Sequence, residues 1–137
     1  MEKLLDTRSF EDQILKAAEE KIIVSFLDGL ILCQLRNEQL SGYDLILLLH
    51  KKFQLLVSPG TLYSTLYSME RKNLVECASS TARKRTYKIT RNGAAVLYLL
   101  GHSQRMRKFI ELLEKEFSIE KAPSDLMAST ELKTIRN

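Results

Sequence analysis

The 137-residue sequence has no Trp, two Cys, two Pro and only five Gly. So little Gly and Pro excludes an all-β fold rich in tight turns, and it excludes a low-complexity, disordered chain. The two cysteines, Cys33 and Cys77, provide neither a disulfide framework nor metal-ligand spacing, and both read as core residues. His50 and His102 have no Cys, Asp or Glu at ligand spacing. The apolar stretch from Ile22 to Leu35 is broken by Ser25, Asp28 and Gly29, so it is too short and too polar to span a bilayer. The N-terminal MEKLLDTRSFEDQ carries acids and no apolar core of the signal-peptide kind, which makes the cytoplasm the expected location. No nucleophile is paired with a base and no Gly-rich phosphate loop is present. No catalytic residues, metal or cofactor are therefore expected.

What the chain does have is Leu and Ile at helical spacing, within an apolar fraction of 45%. This predicts a mainly α chain with a small β component. The first helix is expected over Ser9–Lys21, with Ser9 as cap, Asp12 reaching back to it, and Phe10, Ile14 and Ala17 or Ala18 recurring at helical intervals. A central, largely buried helix follows over Val24–Arg36, with Phe26, Leu27, Leu30, Ile31 and Leu35 facing inward. Ser41 then caps a helix over about Gly42–Gln54, whose inner face holds Leu45, Leu49 and Phe53, with Leu47 on the polar arc.

The clearest start signal is Ser58-Pro59: a capping residue followed by a proline at the first helical position, where its missing N–H costs nothing. That helix is expected to reach about Asn73. Leu62, Leu66 and Met69 form its buried stripe, and Gly60, Ser64, Tyr67 and Arg71 its outer arc, flanked by Thr61, Tyr63 and Ser68. Strands over Leu74–Ala78 and Arg85–Thr90 flank a polar, flexible link, giving a hairpin with Tyr87 in the core. Thr90 caps a long helix over Arg91–Phe117, in which Val96, Leu99, Ser103, Met106, Ile110, Leu113 and Phe117 keep a heptad rhythm weakened at Ser103. The tail after Pro123 is expected to be a short helix or disordered.

The net charge is only +4, but it is unevenly placed. Residues 71–91 hold seven cations, Arg71, Lys72, Arg83, Lys84, Arg85, Lys88 and Arg91, against one acid, Glu76. A basic cluster on a near-neutral body suits a phosphate-binding surface. Three helices, a hairpin and a closing helix form the order of a winged helix-turn-helix. In that arrangement the third helix is offered to the major groove and the hairpin to the backbone or minor groove.

The ordered set Leu40-Ser41-Gly42-Tyr43-Asp44, Ser58-Pro59-Gly60-Thr61-Leu62-Tyr63, Met69-Glu70-Arg71-Lys72-Asn73-Leu74-Val75-Glu76 and Arg85-Thr86-Tyr87-Lys88-Ile89-Thr90 with Gly93 resembles the PadR family over about Val24–Leu97. The resemblance implies a winged-helix transcriptional regulator, usually a repressor, acting on double-stranded DNA as a homodimer whose C-terminal helices pair. It places Tyr43, Ser58, Gly60, Thr61, Tyr63 and the wing cations at the DNA. Together with the outer arc, the expected DNA-binding set is Tyr43, Ser58, Gly60, Thr61, Tyr63, Ser64, Tyr67, Arg71, Arg83, Lys84 and Arg85. The expected dimer set is Val96, Leu99, Met106, Ile110, Leu113 and Phe117. A small apolar effector would fit a space at that dimer interface. The organisation then reads as an N-terminal helical extension (1–22), a winged-helix DNA-binding domain (23–91), a long dimerisation helix (92–118) and the tail (119–137). Two rival readings are an architectural, weakly sequence-specific DNA-binding protein and a winged-helix protein-interaction module; the basic cluster disfavours the second.

Overall fold

The computed structural model describes residues 2–54, 56–81 and 83–118, with side chains from Ser9 onward. The tail over 119–137 lies outside the described residues. The main unit comprises residues 15–103, while the first part of α1 and the region from Gln104 belong to a second unit. The helices are α1 (Glu2–Ser25), α2 (Leu27–Leu35), α3 (Gly42–Phe53), α4 (Pro59–Arg71), α5 (Arg91–His102) and α6 (Gln104–Phe117). The strands are β1 (Leu40–Ser41), β2 (Val75–Ser80) and β3 (Arg85–Ile89), which form an antiparallel sheet in the order β1-β3-β2. The fold is a mainly helical winged helix.

Helix α1 starts at Glu2, ahead of the expected Ser9 cap, which therefore lies inside the helix. No Gly or Pro occurs between Glu2 and Ser25 to stop a helix from extending backward over this stretch. Val24 and Ser25 also belong to α1. The chain leaves helical geometry at Phe26 (φ −107°, ψ 18°), although the Phe26 N–H still donates to the Ile22 carbonyl and the Leu30 N–H to that of Phe26. Phe26 is consequently exposed, not part of the inner face.

The core of the main unit gathers Leu27, Ile31, Leu32 and Leu35 from α2, Leu45 and Leu49 from α3, Leu62, Leu66 and Met69 from α4, and Val75 and Tyr87 from the hairpin. Each such side chain contributes about 1.5–3 kcal/mol on burial. Phe53 does not join them and is exposed. Each i,i+4 step advances about 40° around a helix, so a stripe begun at Leu45 has rotated toward solvent by Phe53. Cys33 and Cys77 are half-buried, short of the core positions expected for them.

The hairpin is longer on one side than its sequence suggests. Ser79 and Ser80 belong to β2, pairing with Thr86 and Arg85 past a bulge between Cys77 and Ser79. Next to the end of β2, the Thr81 N–H and hydroxyl both donate to the Lys84 carbonyl, just before β3 begins. Strand β1 pairs Leu40 with Tyr87 and Ser41 with Thr86. Two residues carry no alternation, so only the presence of β3 makes them a strand.

Helix α4 ends in a left-handed residue, Asn73 (φ 59°), with the Asn73 N–H donating to the Glu70 carbonyl and the Leu74 N–H to that of Met69. This is the Schellman pattern with Asn in the usual Gly position. Thr90 locks the turn: its hydroxyl donates to the Asn73 carbonyl (2.6 Å) while accepting from the Gly93 N–H (3.0 Å) at the start of α5. A Cβ at Gly93 would lie 2.1 Å from the Leu74 carbonyl oxygen, so only glycine lets α5 approach this turn.

The long helix expected over 91–117 is two helices. Ser103 is extended (φ −74°, ψ 124°), so no unbroken heptad stripe runs from Val96 to Phe117. Gly101 weakens the end of α5, and serine favours helix boundaries over helix interiors. The end of α5 is closed by His102, whose Nδ1 lies 3.0 Å from the Tyr98 carbonyl and whose ring stacks on that of Tyr98.

Candidate nucleic-acid interface

The start of α4 is built from hydroxyls. The Ser58 Oγ accepts from the Thr61 N–H (3.2 Å) and donates to the Thr61 Oγ1 (2.9 Å), so Ser58 is the cap expected of it and Pro59 occupies the first turn. Ser64 and Thr65 both donate to the Thr61 carbonyl. Their protons are thus committed, which leaves these two oxygens as acceptors toward solvent. The Thr61 hydroxyl accepts from Ser58, and its own proton is free to donate. No carboxylate stands on the central outer arc, where Gly60, Ser64, Tyr67 and Arg71 are all exposed. Open space surrounds the Gly60 Cα on the side a Cβ would take, which suits close approach of a ligand backbone.

Tyr63 is half-buried and does a second job. Its ring packs on Gly42, where a Cβ would come within 2.5 Å of it. The Gly-Tyr-Asp opening of α3 and the Thr-Leu-Tyr opening of α4 are therefore two halves of one contact. Tyr63 and Tyr67 lie 6.3 Å apart, ring centre to ring centre. Tyr43, the next residue after Gly42, is 65% exposed and points away from the core. Behind it, Ser41 and Asp44 form a reciprocal capping box. The Ser41 backbone N–H, then its hydroxyl, and less strongly the Lys84 ammonium hold the Asp44 carboxyl below its ordinary value.

The wing stands beside this surface. Arg83, Lys84 and Arg85 are exposed, but they are not equivalent. Lys84 Nζ lies 3.6 Å from Asp44 Oδ2 at the start of α3, and Arg85 Nη2 donates to Glu70 Oε2 of α4 at 2.9 Å. Lys88 pairs with Glu76 across the hairpin at 3.4 Å. Arg71, Lys72, Arg83 and Arg91 form no ion pair among the described residues. Beneath Arg85 lies the ring of Tyr87, 5.4 Å from the guanidinium, and burial holds the Tyr87 phenol above its ordinary value.

Tyr43, Ser58, Gly60, Thr61, Tyr63, Ser64, Tyr67, Arg71 and the wing cations thus belong to α3, α4 and the hairpin of one unit, elements joined by the Gly42–Tyr63 contact and by the Lys84–Asp44 and Arg85–Glu70 pairs. The expected dimer residues belong to α5 and α6. Leu99, Ile110, Leu113 and Phe117 are exposed, and Val96 and Met106 are half-buried. On the other flank of α4 from Glu70, a shallow groove of about 340 Å³ is lined mainly by Ser25, Asp28, Ser64, Thr65, Ser68 and Lys72. Its walls are mostly polar, with Val24 and Met69 as the apolar members. Sequence reading gave no role to Glu70 or Asp44. Nothing in residue spacing shows that they meet Arg85 and Lys84, because both partners are brought there by the hairpin. Among the described residues, no group of His, Cys, Asp and Glu is arranged to hold a metal ion, and no helix is long and apolar enough to cross a membrane.

Residues 31–98 match the transcriptional regulator PadR-like family. No curated protein matches the chain. Among solved structures, a PadR family transcriptional regulator from Eggerthella lenta superposes with a TM-score of 0.66 at 20% identity, covering 82% of this chain and 99% of that one. A transcriptional regulator from Clostridium thermocellum gives 0.61 at 20% identity, over 72% and 96% of the two chains. A PadR-like transcriptional regulator from Bacillus cereus gives 0.57 at 25% identity, over 72% and 99%.

Proposed function

Because the chain belongs to the PadR-like family of transcriptional regulators, we propose that it is a homodimeric repressor that sets α4 in the major groove of double-stranded DNA and rests its wing on the backbone. One observation carries the reading: the outer arc of α4 is exposed, hydroxylated and acid-free, and ion pairs tie a cationic hairpin to the start of α3 and to Glu70 on the flank of α4. Phosphates would be held by Arg83 and Lys84 of the wing, by Arg71, and by the N–H groups and hydroxyls at the start of α4. Tyr43, Tyr63 and Tyr67 would add phosphate or sugar contacts, and Gly60 would admit the backbone closely. Base edges fall to the exposed part of α4, where Thr61 donates and Ser64 accepts. Repression by occupying a promoter needs no surface beyond this one. A DNA partner is also in keeping with the cytoplasm as the protein's location.

Dimerisation is supported by α5 and α6, whose Leu99, Ile110, Leu113 and Phe117 face solvent in the single chain. Apolar residues at this density are costly to leave in water. A small apolar effector would bind between the paired helices. Selection of bound fragments from random duplex DNA at physiological salt separates this reading from its rival: a two-fold motif marks a sequence-specific regulator, and broad retention without one marks an architectural protein. Replacing Arg83, Lys84 and Arg85 together by Ala should weaken binding to every duplex and flatten the salt dependence by about 0.9 in log–log slope for each phosphate no longer neutralised. An unchanged affinity and slope would remove the wing from the interface.

A further inference from the structure

The wing cations divide into a group tied to the protein's own acids and a group left open. Arg85 is the most constrained. It donates to Glu70 Oε2 at 2.9 Å and sits over the Tyr87 ring. It also lies on the inner side of β3, two residues from the buried Tyr87, and pairs with Ser80 at the end of β2. Arg83, in the turn, has no ion-pair partner among the described residues. Glu70 is on the flank of α4, about 80° around the helix from Gly60, with its side chain 26% exposed. An acid so close to a surface for a polyanion opposes binding on Coulomb grounds. A contribution of another kind is needed to offset that.

We propose that Glu70 is a positioning residue for DNA binding: through Arg85 it holds the wing at a set angle to α4, so that Arg85 serves the wing's placement while Arg83 carries the phosphate contact. The inference rests on the DNA-binding reading above. Past Tyr87 the hairpin has little apolar anchorage. The bulge between Cys77 and Ser79 bends β2 there, and Ser79, Ser80 and Thr81 are exposed. The orientation of its end then depends on the Arg85–Glu70 pair, with Lys84–Asp44 as a looser second tie at 3.6 Å. A wing ordered before it meets DNA gives up less freedom on binding.

The test uses the full chain and a fluorescent duplex that the unmodified protein itself retains from a random-sequence pool. Affinity is measured by anisotropy between about 50 and 200 mM salt for the unmodified protein, Arg83→Ala, Arg85→Ala, Glu70→Ala and Glu70→Gln. Arg83→Ala should lower the salt slope by about 0.9. Arg85→Ala and Glu70→Ala should weaken binding by about two- to five-fold, the range of an exposed ion pair, at an unchanged slope. Glu70→Ala should do so although it removes a negative charge beside the DNA. Glu70→Gln keeps an acceptor and the helix, so it should fall between the unmodified protein and Glu70→Ala, with its unfolding midpoint showing that the fold is intact. Tighter or equal binding by Glu70→Ala, or a slope lowered by Arg85→Ala as far as by Arg83→Ala, would overturn the positioning role. If the unmodified protein retains no duplex at all, the DNA-binding reading fails, and this proposal with it.

Discussion

Helices α4 and α6 carry the same kind of amphipathic sequence, yet α4 buries Leu62, Leu66 and Met69 within its own chain while α6 buries no residue. The difference lies in what the fold supplies. Helix α4 is flanked by α2, α3 and β2, which give its apolar stripe somewhere to go. Helix α6 leaves Phe109, Ile110, Leu112, Leu113 and Phe117 exposed. Amphipathicity in a sequence shows that a face is to be covered; it does not show by what. In α4 the cover is the same chain, and the opposite face is freed for a ligand. In α6 the cover we propose is a second copy.

The contrast can be broken most sharply at the two apolar stripes. Leu66→Ala should cost about 2–5 kcal/mol of folding stability, read by denaturant unfolding. Ile110→Asp should leave the winged helix folded, but sedimentation should show the dimer dissociating, because the change places a charge on an apolar seam. Equal loss of folding stability in both variants would mean that α6 is part of the core after all.

A smaller effect tests the junction between α4 and α5. Gly93→Ala drives a methyl group into the Leu74 carbonyl and should cost about 1–3 kcal/mol, with the loss visible as a lowered melting temperature. A neutral result would show that the turn held by Thr90 gives way easily. Smaller again, Ser58→Ala removes the cap of α4 and should cost about 1 kcal/mol in the same measurement.

The smallest effect is one of pH. Asp44 titrates below its ordinary value of 3.8 in the folded chain. Its contribution to stability is therefore complete above that value, and it is lost as pH falls through the depressed one. Asp44→Asn should remove this part of the acid limb of the stability curve while changing little of its shape above about pH 5. A steepened limb in the variant would show that Asp44 is not the group responsible.

Much of the fold was legible because its signals are local. Ser58-Pro59 announces α4 whatever surrounds it, Ser41 announces α3, and the i, i+4, i+7 spacing of Leu62, Leu66 and Met69 identifies the buried stripe. Ser9 misled because a capping residue marks a helix start only where the preceding chain cannot itself be helical. Ser103 was visible as a weak heptad site, but the break depends on the local competition among Gly101, His102 and Ser103, which spacing does not measure. Strand β1 had no signal of its own. Within the candidate interface, the exposed arc of α4 was readable from angular position alone. The difference between Arg83 and Arg85 was not, since neighbouring cations in a sequence look alike until the acids of other elements come near them.

By itself, then, the order of residues determined α3 and α4 with their caps, the polarity of their faces and the location of the cationic segment, since these depend on neighbours within a few residues. The tertiary structure alone decided which faces meet: Gly42 under Tyr63, Gly93 against Leu74, Glu70 on Arg85. The physical reason is range. Hydrogen bonding within a turn of helix is set by adjacent residues, whereas steric exclusion and ion pairing act between groups that only chain folding brings within a few ångströms.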